Sequence, residues 1–263
     1  MSIIFYEKTL TEYGAHFIIA IDEHPKHKQH LGGVRWLDDI SIDAAKTMLL
    51  NLSQAMTKKS AALGLPVGGA KAVIIAHPHN TNPSASGLTR GSILKQFGQM
   101  VDSLNGQYIT AVDIGMDTPE MDIIATQTTH VTCTTAQGGD VSRFTALVVF
   151  NAMQSTSTKP LSECSIVIQG AGKCGGHLAS LLCEVGATVM VADTHPEKVQ
   201  ALAQRLPIQV IAPEKALSTC CDVFAPCAIG GVLGNAAVAS LQCTLIAGTA
   251  NCQLANESLA AKL

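Results

Sequence analysis

The sequence predicts an α/β protein of two domains, the second built on a doubly wound parallel sheet. Three observations predict it. Apolar runs of strand length alternate with helical segments along most of the 263 residues. A glycine-rich turn, Gly170-Ala171-Gly172-Lys173-Cys174-Gly175, follows directly on the apolar run 165–169 and opens a helix. A polar break, Ser155-Thr156-Ser157-Thr158-Lys159-Pro160, separates the halves, so the expected domains are 1–154 and 155–263.

Composition excludes several classes. Hydrophobic residues at 47% allow two sizeable cores, and aromatics at 4% make those cores aliphatic. A net charge of −3 gives no electrostatic case for nucleic acid or an anionic membrane as partner. No apolar run reaches membrane-spanning length, and residues 1–8 lack the zones of a signal peptide, so a cytoplasmic location is expected. The nine cysteines include no Cys-x-x-Cys pair, and Cys220 and Cys221 are adjacent. They read as reduced thiols, and no metal site is expected.

In the first half, residues 3–6 and 16–21 are apolar runs of strand length, exposed in a way that would suit assembly. Residues 22–30 form a polar stretch in which His24, His27 and His30 stand among lysines. Such spacing is compatible with a metal, but a solvated basic loop is the simpler reading. Residues 31–36 form another strand, with Gly32 and Gly33 where something must approach the backbone. After Ser41 as N-cap, Ile42, Ala45, Met48, Leu49, Leu52, Ala55 and Met56 recur at helical spacing, and Lys59 falls at that helix's end.

The stretch 64–74 then runs through a glycine-rich loop into a β-branched strand with Lys71 at its mouth. Desolvation there favours the neutral amine, which suits proton transfer near neutral pH. Residues 77–83 read as a turn-rich loop, and Ile93, Leu94, Phe97, Met100, Val101 and Leu104 as a second amphipathic helix. Residues 108–115 form an apolar strand interrupted by Asp113, either a capped strand end or a carboxylate aimed into a cleft. Thr118 is the expected N-cap of the next helix, with Pro119 at its first position. Residues 130–144 read as irregular, followed by a helix from Thr145 to about Met153.

The second half adds apolar runs at 188–193, 208–211, 222–226 and 244–248, with helices between. The glycine turn is answered by Asp193 at the end of the next strand, which completes a dinucleotide-binding fingerprint. Gly170 permits the tight turn, Gly172 admits the pyrophosphate to the backbone and the helix N-terminus, and Gly175 lets helix and strand pack. Asp193 would accept from the ribose hydroxyls and repel a 2′-phosphate, favouring NAD, although Thr194 and His195 would tolerate a phosphate.

Together these motifs resemble the glutamate/leucine/phenylalanine/valine dehydrogenase family, on the branch of the leucine, phenylalanine and tryptophan enzymes. The resemblance runs from about Ile18 to Glu257. It includes Leu31-Gly32-Gly33-Val34-Arg35, Met56-Thr57-Lys58-Lys59, Gly68-Gly69-Ala70-Lys71, Ile109-Thr110-Ala111-Val112-Asp113-Ile114-Gly115, the glycine fingerprint and the run 222–231.

The resemblance implies a substrate-binding and dimerisation domain followed by a Rossmann domain. It also implies NAD-dependent oxidative deamination of a neutral L-amino acid to the 2-oxo acid and ammonia, in a homo-oligomer. By the same resemblance Lys71 and Asp113 are the catalytic pair and Lys59 meets the substrate carboxylate. Gly32, Met56 and Asn251 lie near the substrate, and Thr145, Cys227 and Ala228 join the cofactor site.

Departures are Ala70 for a glycine, Lys58 for a tyrosine, Arg143-Phe144 in place of prolines, and Cys252 for an asparagine. The chain also ends before the family's C-terminal segment, so the alternative expectation is a catalytically impaired NAD-binding relative.

Overall fold

The computed structural model describes residues 2–24, 26–76 and 89–263. The loop expected at 77–83 lies outside the described residues. The chain forms two compact units, Met1–Asp140 and Val141–Leu263.

In the first unit β1 (Ser2–Leu10), β2 (Ala15–Glu23), β3 (His30–Leu37), β4 (Gly68–Ala76) and β5 (Tyr108–Ala111) form one sheet in the order β1-β2-β4-β3-β5. β1, β2 and β4 pair antiparallel, whereas β4, β3 and β5 are parallel. Helices α1 (Ile42–Ala62), α2 (Arg90–Ser103) and α3 (Thr118–Ala125) cover it. Alternate residues of β2 and β4 go to opposite layers. Ile19, Ile21, Ala70, Ala72 and Ile74 pack under Leu94, Phe97 and Val101 of α2. Ile18, Ala20 and Val73 pack against Ala45 and Leu49 of α1.

Strand β2 is therefore interior rather than exposed, and only β1 forms that edge of the sheet. Asp22 lies inside β2 and buried, accepting a 2.6 Å hydrogen bond from the Thr57 hydroxyl, which itself accepts from the Gly69 N–H. His30 is not in a solvated loop. It opens β3, buried against Gly68, with Nδ1 3.1 Å from the Gln107 carbonyl oxygen and burial pushing its pKa down. The glycine stretch corrects likewise: Gly68, Gly69 and Ala70 already belong to β4, so Lys71 stands inside the strand.

Strand β5 stops at Ala111, because the chain turns at Asp113, whose carbonyl oxygen accepts from the Met116 N–H, and Gly115 takes a φ of 74°. Trp36 packs on this turn: its N–H donates to the Ile114 carbonyl oxygen, and the Arg90 guanidinium stacks 4.0 Å from its ring centroid while donating to the Gly115 carbonyl oxygen. The cap of α3 is Asp117 rather than Thr118, since the Glu120 carboxylate reaches back to the Asp117 N–H in a capping box.

The second unit contains α4 (Ser142–Thr156), β6 (Ser165–Gln169), α5 (Lys173–Glu184), β7 (Thr188–Ala192), α6 (Pro196–Ala203), β8 (Gln209–Val210), β9 (Val223–Pro226), α7 (Asn235–Ser240) and β10 (Leu245–Ile246). The sheet is wholly parallel, in the order β10-β9-β6-β7-β8. The division falls at 140/141, ahead of the expected 154/155. Helix α4 starts at Ser142 rather than Thr145, and its Ala146, Phe150 and Met153 share a core with Leu178 and Leu182 of α5. The polar break thus joins α4 to β6 within one unit.

Among the described residues no helix is long and apolar enough to cross a membrane, and no group of three or more His, Cys, Asp or Glu side chains is placed to hold a metal ion.

Candidate active site

In the first unit α1 packs over β4 and β2 but scarcely over β3. Lys71 lies on the α1 side of the sheet, two residues from Val73, with only 4% of its surface exposed. Its Nζ contacts Asp113 Oδ2. Arg35 Nε reaches the same oxygen at 3.2 Å, and the Ile114 N–H donates to Oδ1 at 2.7 Å. Burial lowers the pKa of Lys71; Asp113 opposes that shift, and Arg35 and Lys59 add to it. Burial pushes the Asp113 carboxyl up, but Lys71 and Arg35 together hold it below the usual carboxylate range. The result is a buried amine biased toward its neutral form beside a carboxylate held ionised, a pair able to accept and pass a proton.

The glycines are there because backbone comes close. A Cβ on Gly32 would lie 1.6 Å from the Ala70 carbonyl oxygen, and one on Gly33 would lie 2.9 Å from Asp113 Cβ. The buried Tyr108 hydroxyl fixes this crossing by donating to the Gly32 carbonyl oxygen at 2.8 Å. The extra methyl of Ala70 does not crowd a loop; it is buried in the core on the opposite face. Met56 is half-buried on α1, and Lys59 lies in that helix's last turn, within electrostatic reach of Lys71.

One register step from Lys71, Leu31 pairs with Gly69 and Ile109. There a shallow cavity of about 430 Å³ is lined by Leu31, Ile109, Val131, Thr132, His130 and Gln137, among others. The structure thus brings together Lys71, Asp113, Gly32 and Lys59. It adds Arg35, which sequence reading left as an ordinary motif residue because nothing in the pattern shows that its guanidinium turns onto Asp113.

The second unit carries the nucleotide cradle at the C-terminal ends of β6 and β9, where the strand order reverses. Gly170 has a φ of 111°, and a Cβ there would sit 2.8 Å from the Ala228 nitrogen. A Cβ on Gly175 would strike the Gly170 carbonyl oxygen at 1.9 Å and come within 3.3 Å of Cys227 Cβ. Gly172 is the N-cap of α5, and a Cβ there would meet nothing within 4 Å. Lys173 and Cys174 form the first turn of that helix, and the open space beside Gly172 fits the approach of a pyrophosphate to the helix N-terminus.

Asp193 Oδ2 accepts from the Ala171 N–H at 2.7 Å, and Oδ1 accepts from the His195 N–H at 2.9 Å. Oδ1 is also met by His195 Nδ1 at 3.2 Å; these partners keep the pKa low against partial burial, and Oδ2 retains acceptor capacity for a hydroxyl. Thr145 stands in the first turn of α4, and Asn251 is exposed, its backbone against Gly230.

The first unit thus holds a buried lysine–carboxylate pair, and the second the strand–turn–helix framework of a dinucleotide-binding fold. Residues 19–130 match the profile described as "Glu/Leu/Phe/Val dehydrogenase, dimerisation domain", and residues 165–226 match "NADP oxidoreductase coenzyme F420-dependent". The chain is 34% identical to L-tryptophan dehydrogenase of Nostoc punctiforme, over 87% of its own length and 64% of that protein's. It is 33% identical to leucine dehydrogenase of Geobacillus stearothermophilus, over 95% and 69%. The crystal structure of the Nostoc punctiforme enzyme superimposes with a TM-score of 0.67, covering 100% of this chain and 75% of that one at 32% identity. The chain belongs to the Glu/Leu/Phe/Val dehydrogenase family, on its leucine/tryptophan-like branch. It spans just under two thirds of the length of the tryptophan dehydrogenase.

Proposed function

We propose that this protein oxidatively deaminates a neutral L-amino acid to the 2-oxo acid and ammonia, with NAD as oxidant. The observation that carries the reading is the buried contact between Lys71 and Asp113, a proton-handling pair on the α1 side of the sheet. Bound NAD supplies the hydride acceptor. Lys71, its pKa lowered by burial, takes the proton from the water that attacks the imine carbon. Asp113 holds the substrate amino group and receives its proton. Lys59 pairs with the substrate carboxylate, and the cavity beside Leu31 and Ile109 takes the side chain. Met56, Gly32 and Asn251 complete the substrate surroundings.

In the second unit the Gly170–Gly175 turn binds the pyrophosphate and Asp193 the ribose, its charge selecting NAD over NADP. Thr145, Cys227 and Ala228 line the nicotinamide end. In this reading the first unit also carries the dimer contact of a homo-oligomer working in the cytoplasm. Relatives named tryptophan, leucine and valine dehydrogenase support a neutral substrate over a charged one.

The test is NADH absorbance with NAD and a panel of L-leucine, valine, phenylalanine, tryptophan and glutamate. Lys71→Ala is expected to lower kcat at least about a hundredfold while NADH binding is unchanged. An undiminished signal in that variant would refute the assignment. No signal from the wild type, with NADH still bound, would leave a nucleotide-binding relative without the chemistry.

A further inference from the structure

Two cations converge on one oxygen. Asp113 Oδ2 is met by Lys71 Nζ and by Arg35 Nε, while Oδ1 accepts from the Ile114 N–H. Arg35 comes from β3, two residues past Gly33 and in register with Val73. Its side chain is 11% exposed, and its Nη1 lies 3.3 Å from Met48 Sδ of α1, so the guanidinium is clamped between helix and turn. The charged groups acting on Lys71 are Arg35 from β3, Asp113 from the turn after β5 and Lys59 from α1. Its register partner on β2 is the uncharged Ala20. That is one anion among three cations.

A buried lysine paired alone with an aspartate would keep its proton firmly, because the ion pair stabilises the ammonium. Guanidinium stays charged at any working pH and binds carboxylate through directed N–H groups. Arg35 therefore competes with Lys71 for the same oxygen permanently. We propose that Arg35 is a positioning residue for this site: it fixes Asp113 and takes up part of that carboxylate's charge, so that the Lys71–Asp113 contact holds the lysine's proton less tightly and leaves the amine available as a base. Its catalytic meaning rests on the dehydrogenase reading; its electrostatic consequence does not.

The experiment follows the Lys71 13Cε resonance by NMR across a pH titration of the full chain labelled with 13Cε-lysine, the signal being assigned by its loss in Lys71→Met. In Arg35→Met the titration midpoint of Lys71 is expected to move to higher pH by about one unit, and Arg35→Lys should return most of the way to wild type. Arg35→Gln, which keeps a polar side chain without the charge, serves if the Met variant does not fold. The pH at which kcat reaches half its plateau should follow the same order, with KM for the amino acid little changed. A midpoint unmoved in a folded charge-free variant overturns the proposal, as does Arg35→Lys behaving like the charge-free variant. A wild type that forms no NADH refutes the dehydrogenase reading alone, since the resonance still decides the role of Arg35.

Discussion

His30 stands beside Gly68 with its Nε2 buried and without a hydrogen-bond partner. Burial holds the imidazole neutral in the fold, while the unfolded chain titrates near the ordinary 6.5. As pH falls through that value the unfolded state takes up a proton that the folded state refuses, so stability drops on the acid side. In His30→Gln the fall of Tm between about pH 6.5 and 5 should be shallower than in wild type; an identical slope would place the acid sensitivity elsewhere. The same residue shows what sequence could not tell. Polar residues that end in strands, such as His30 and Asp22, look like loop because pattern reading weighs polarity, whereas here the Gln107 carbonyl oxygen meets His30 Nδ1 and Thr57 donates to Asp22 Oδ2. Lys71 and Asp113 were legible because each interrupts an apolar run. Arg35 was not, since it closes a strand motif where an arginine ordinarily faces solvent.

At the scale of the element, the turn between β6 and α5 separates two jobs that glycine performs. Gly172 has a φ of −69° and open space beside it, so Gly172→Ala should melt within about 0.5 kcal/mol of wild type. Its methyl would stand where the phosphates enter, and NADH affinity by fluorescence titration should fall about tenfold or more. Gly175→Ala drives its methyl onto the Gly170 carbonyl oxygen and should cost about 1–3 kcal/mol of stability in the same melts. Equal effects of the two changes on stability would contradict this division. The parallel sheet and this turn were readable because strand, turn and helix follow one another without interruption. Helix ends were less so: Asp117 takes the cap from Thr118 through its capping box with Glu120, and α4 begins ahead of Thr145.

For the whole molecule, the misplaced boundary has a physical cause. Polar composition marks where a chain is exposed, not which core the preceding helix enters, and α4 buries its apolar stripe in the second unit. Each unit encloses its own cores: Phe17, Phe97 and Tyr108 belong to the first, and Ile168, Leu178 and Leu182 to the second. Calorimetry is therefore expected to resolve two transitions, and saturating NADH to raise only the one belonging to residues 141–263. A single transition that shifts as one would show the units to unfold together.

The stacking of Arg90 on Trp36 has an optical consequence. Trp36 is the sole tryptophan of the chain; its backbone and Cβ lie against Gly115 in the turn after Asp113, and its ring is stacked by Arg90. Intrinsic fluorescence excited in the indole band thus reports on Trp36, Arg90 and the turn after β5 in the first unit. An emission melt follows the loss of that turn. The protein carries its own dye, one residue along the strand from Arg35.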